Sequence, residues 1–82
     1  MNRYMHKNYD TDFIFNLQYP IRLYVVEVNH AAQDVAISEI RCERGKEPKE
    51  KDNCRGWTEN FATYEAALAR AQFIATELHY SL

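Results

Sequence analysis

From Phe13 to Val25 every second residue is apolar: Phe13, Phe15, Leu17, Tyr19, Ile21, Leu23 and Val25 form an unbroken row at the two-residue period of a β-strand. At about 3.3 Å per residue the row would run roughly 40 Å if straight. A domain of this length should have a radius of gyration near ~12 Å and so measure roughly 30 Å across. The row therefore either bends at Pro20, which lacks the N–H a ladder needs, or leaves its own domain to pair with another chain. Up to Tyr19, Asn16 and Gln18 occupy the opposite parity, as in an edge strand with one wet face. Beyond Pro20, Tyr24, Val26 and Val28 make the second parity apolar too, which predicts a central strand.

His30-Ala31-Ala32-Gln33-Asp34 reads as a short hairpin connection. In the returning strand Val35 and Ile37 share one parity and Ile40 and Cys42 the other. A strand here must carry a bulge near Ser38-Glu39 or be solvated beyond it; a helix from Ala31 to Cys42 is the competing reading. Residues 43–55 are dense in charge around Gly45 and Pro48 and read as a solvated, mobile loop. Gly56 to Phe61 predicts a last short strand, with Trp57 and Phe61 on one parity.

Thr63 is a good N-cap and Glu65 suits the first turn of a helix running to about His79. At 100° per residue Tyr64, Ala67, Leu68, Ala71, Ile74, Ala75, Leu78 and Leu82 make one stripe, expected to lie on the sheet. Ala66, Ala69, Phe73 and Tyr80 fall opposite, where charge is usual. With Phe73 and Tyr80 as aromatic walls that face is expected to form a narrow shallow groove, covered by the N-terminal arm, gripped by a partner at Ala69, Phe73 and Tyr80, or left uncovered. The expected fold is therefore α+β: an antiparallel meander of three or four strands in sequence order, with one long C-terminal helix on one face. Residues 1–12 read as a flexible arm and residues 13–82 as a single domain.

Composition narrows the function. Eighty-two residues suffice for one core, and 46% apolar with 13% aromatic residues argue for a packed domain. A net charge of −2 gives no field for nucleic acid or anionic lipid. Two cysteines, and a start with no apolar h-region, predict a cytoplasmic protein without a disulfide framework.

The candidate chemistry is thin. Cys42, Cys54, His6, His30 and His79 share no local catalytic signature, and the cysteine spacing fits no zinc motif. With only Gly45 and Gly56 there is no phosphate-cradling loop, so no cofactor, metal or catalytic residue is assigned. The stretch Thr63 to Ala71 resembles the T-x-E-E-A-L helix start of HicB-type antitoxin domains and, loosely, the last helix of a double-stranded-RNA-binding domain. It lacks the Pro-Asp-Leu-Pro-Gly turn of the first and the lysine-rich helix start of the second, so neither ligand transfers.

The expectation is a non-catalytic protein-interaction domain, an adaptor or inhibitor of the kind found among phage and mobile-element accessory proteins. It is expected to homodimerise through the strand row, with Phe13 and Phe15, or through the outer helix face. The alternative is an RNA-binding module in which Arg44, Lys46, Lys49, Lys51 and Arg55 meet phosphate beside Trp57, opposed by Glu43, Glu47, Glu50 and Asp52.

Overall fold

A computed structural model describes residues 19–82. The arm over 1–12, Phe13, Phe15 and the strand row before Tyr19 lie outside the described residues. Strands β1 (Ile21–Asn29), β2 (Asp34–Cys42), β3 (Asp52–Asn53) and β4 (Gly56–Phe61) form one antiparallel sheet, and α1 (Tyr64–Leu78) packs on it. The α+β class with a single C-terminal helix is as expected. The strand order differs: it is β2-β1-β4-β3, so β1 lies inside the sheet and the strands are not neighbours in sequence order. Burial on both faces is the reason, since Leu23 on one and Val26 on the other are wholly buried, and only an interior strand hides both.

Tyr19 and Pro20 form a bend and β1 starts immediately after it. From there β1 pairs with β2 along its whole length and with β4 from Tyr24 onward. The Ile21 to Val25 half of the apolar row thus pairs with strands of its own chain. The β1–β2 turn closes with Gln33 at φ 55°, while Asn29 Oδ1 accepts the Ala32 N–H at 3.0 Å.

Pairing runs unbroken from Ile21 opposite Cys42 to Asn29 opposite Asp34, without the bulge entertained for Ser38-Glu39. The second option for β2 holds: Val35 and Ile37 join the core under the helix, and beyond them Glu39 and Arg41 on the same face are exposed. Ile40 and Cys42 turn to the other side.

The helix stripe packs as expected at Ala67, Ala71, Ile74 and Ala75, and its three alanines let the helix approach Val26, Val28, Val35 and Phe61. Thr63 Oγ1 accepts the Ala66 N–H at 3.2 Å at the helix start. The helix ends one residue earlier than expected, because His79 turns left-handed at φ 57° and Tyr80 N–H reaches back to Ala75 O at 2.9 Å. The stripe is shorter too: Tyr64 and Leu82 at its ends are exposed.

Residues 43–51 are the largest departure from expectation. They join β2 at one side of the sheet to β3 at the other, crossing three strand spacings, about 14 Å. They also climb from the level of Ile21 to that of Val28, roughly 23 Å more. That diagonal of ~27 Å uses most of the ~35 Å that ten residue steps can span. The segment is therefore a drawn strap, with Glu43 to Lys46, Lys49 and Lys51 exposed as a solvated loop would have them. It passes over the face away from the helix, where Asn60 Nδ2 donates to Pro48 O at 2.6 Å.

Candidate interaction surface

An interior β1 leaves the sheet two outer sides, and they are finished differently. Along β4 the strap stands in for a missing neighbour: Thr58 N–H donates to Lys51 O at 2.9 Å and Asn60 N–H to the Glu50 carboxylate at 2.8 Å. Along β2 only the beginning is covered. Val35 N–H donates to Ser81 O at 2.8 Å and Ser81 N–H to Gln33 O at 3.0 Å.

This short tail contact also fixes directions. Alternation along an antiparallel strand turns the N–H and C=O of Ile37, Glu39 and Arg41 outward with those of Val35. Among the described residues no strand pairs with them. Nearby, Arg22 stands directly opposite Arg41, and Glu39 bonds Arg22 at 3.0 Å. Like charges facing each other across a ladder are unfavourable, and Arg41 forms no ion pair among the described residues.

The outer helix face is less continuous than its sequence suggests. Ala69 is exposed and Phe73 is 55% exposed, with the Arg70 guanidinium 5.3 Å from its ring centre. Tyr80 does not share that face: it lies past the helix end, packs against the core, and pairs its hydroxyl with His30 Nδ1 at 2.6 Å. The aromatic groove expected between Phe73 and Tyr80 is therefore absent, because the left-handed cap at His79 turns the chain around before Tyr80. His30 in turn meets Trp57 edge-on, with ring centres 5.5 Å apart. Trp57 Nε1 donates to Glu59 Oε2 at 3.0 Å, and Glu59 takes Arg70 as ion partner.

The cationic candidates of 43–55 are dispersed. Arg44 stacks over the Tyr19 ring at 4.5 Å, while Lys46 and Lys49 are exposed on the strap. Lys51 and Arg55 do meet, lining an open cleft of about 270 Å³ on the sheet face away from the helix, but Glu27 and Asp34 line it too, and the Trp57 ring turns to the helix side of the sheet. The Tyr19 hydroxyl donates to Glu47 Oε2 at 2.7 Å. This bond raises the tyrosine to about 12, with lesser help from burial, and lowers the Glu47 carboxyl below its usual value.

Both cysteines are free thiols, Cys42 buried and Cys54 exposed, and burial pushes the Cys42 thiol up. Among the described residues no cluster of three or more His, Cys, Asp or Glu side chains could hold a metal ion, and no helix is long and apolar enough to cross a membrane. Sequence reasoning singled out none of Glu59, Asn60 or the outer side of β2. The parity break at Ser38-Glu39 was the one sign of the last. Set against known protein families, curated proteins and solved structures, the chain matches none.

Proposed function

We propose that this protein is a non-catalytic interaction module that takes an extended segment of a protein partner onto the outer side of β2. The observation that carries the reading is the row of outward N–H and C=O groups at Ile37, Glu39 and Arg41 on a nine-residue strand without bulge or proline. Such a side recruits another strand through main-chain hydrogen bonds, with alternate side chains supplying selectivity. The contrast with β4, where the strap occupies the equivalent groups, supports it. A cytoplasmic setting agrees with two thiols left unpaired.

Selection of linear peptides from a displayed random library tests this. Peptides that bind should slow amide exchange at Ile37, Glu39 and Arg41. Binders that protect only the Phe73 face or the cleft would overturn it.

A second reading, RNA binding, is favoured by one observation, the meeting of Lys51 and Arg55 in the cleft. Retention on polyanion resin that fades steeply with salt is its expected signature. The acidic Glu27 and Asp34 in the same cleft oppose it.

A further inference from the structure

Resting on the strand-docking reading, we infer that the partner segment is β2 of a second copy of this chain, paired antiparallel so that Glu39 of each protomer faces Arg41 of the other. Register arithmetic carries this. Two copies related by a twofold axis bring outward-facing residues together in pairs whose numbers have a constant sum, and odd residues face odd residues.

Pairing Ile37 with itself, or with Glu39, requires Val35 to bond the partner, and Val35 already donates to Ser81 O. Centring on Glu39 sets Glu39 against Glu39, and centring on Arg41 sets Arg41 against Arg41. Like charges directly opposite are unfavourable. One register remains among those that set the outward residues of β2 against one another; the next along, which sets Arg41 against Glu43, reaches past the end of β2 at Cys42. The remaining register sets Glu39 against Arg41 twice and stacks Ile40 on Ile40 at the axis, in the closer, non-hydrogen-bonded kind of pair.

A second observation agrees. Arg41 faces Arg22 across the ladder within its own protomer, and among the described residues the neighbouring Glu39 pairs with Arg22 only. The second copy's Glu39 supplies the missing counter-charge. Because opposite residues in a ladder share a face, the product is one eight-stranded sheet with both helices on the same side. Residues of one sign along β2 would only repel other strands; opposite signs two positions apart admit this register and reject its neighbours.

Sedimentation equilibrium of the full chain over a wide concentration range tests the inference, against a monomer mass of 9.7 kDa. The wild type should show a monomer–dimer equilibrium. Glu39→Arg and Arg41→Glu alone should each weaken it at least ~100-fold, since each creates two like-charge contacts. Mixed together, these two variants should form a heterodimer, because both contacts are then between opposite charges; circular dichroism of each variant reports that the fold is intact.

A wild type that stays monomeric at every concentration overturns the second copy as occupant and leaves strand docking to the peptide selection. A dimer that neither single variant weakens overturns this interface. A mixture that stays monomeric overturns the register.

Discussion

Glu59 and Arg70 form an ion pair at 3.3 Å in the layer between sheet and helix, with side chains only 5% and 16% exposed. β4 turns Glu59 inward beside Phe61, and α1 brings Arg70 across to meet it. Removing one member of a buried pair strands the other charge, at a typical cost of about 3–5 kcal/mol, whereas replacing both is close to neutral. Arg70→Met should therefore destabilise by about 3 kcal/mol in chemical denaturation. Adding Glu59→Gln, which keeps an acceptor for the Trp57 indole, should recover most of that loss. A double variant as unstable as the single would show that the Arg70 stem, and not its charge, is what matters.

At Gly56 the backbone has φ 147°, and a Cβ there would lie 1.7 Å from Val28 O. Glycine is required on both counts, since L side chains rarely adopt that conformation and the carbonyl belongs to the interior strand. Gly56→Ala should cost at least about 3 kcal/mol. Gly45, with φ 79° and nothing within 4 Å of its would-be Cβ, should lose less than half as much on the same change.

His79 holds the left-handed position that ends α1, a place where glycine is ordinarily preferred. His79→Gly should stabilise the protein by about 0.5–1 kcal/mol, net of the extra freedom glycine has in the unfolded chain. A thermal melt reads the gain; a lower Tm would mean that the histidine side chain contributes more than its backbone strain costs.

The bond from Tyr19 to Glu47 ties the start of β1 to the strap, and its response to pH has a defined sign at each end. Glu47 is lowered in the folded state, so its contribution is present above the ordinary carboxylate range and is lost as pH falls through the lowered value. Tyr19 is raised to about 12, so its contribution is complete below the ordinary tyrosine value of 10.0 and is lost as pH rises towards about 12. Ultraviolet difference titration should find Tyr19 ionising late in the wild type. In Glu47→Gln it should ionise earlier.

Glu50 caps the Asn60 N–H from the strap at 2.8 Å. Glu50→Ala should cost about 1–2 kcal/mol, as expected for a charge-assisted bond to a partly buried amide. Amide exchange at Asn60 should quicken, with that of Val26 little changed.

Much of the architecture was legible because it follows from short-range regularities. The parity of Tyr24, Val26 and Val28 against Leu23 and Val25 announced a strand buried on both faces. Thr63 announced the helix start, and Ala67, Ala71, Ile74 and Ala75 announced the face that packs. Each is a property of residues within a few positions of one another, and backbone periodicity turns it directly into geometry.

What the tertiary structure decided is everything that depends on which distant segments meet. No local pattern says that β4 returns to the side of β1 left open by β2, and that choice stretches 43–51 across the sheet and makes a charged run a fastened strap. A lone Glu59 between Trp57 and Phe61 carries no local sign of its ion partner, because Arg70 arrives from another element. Tyr80 sits at helical spacing from Phe73, yet one left-handed residue between them sends it to His30. Chain order and period determined which residues form strands and helix; long-range pairing, where loop reach and buried charge must be satisfied together, determined which surfaces remain for a partner.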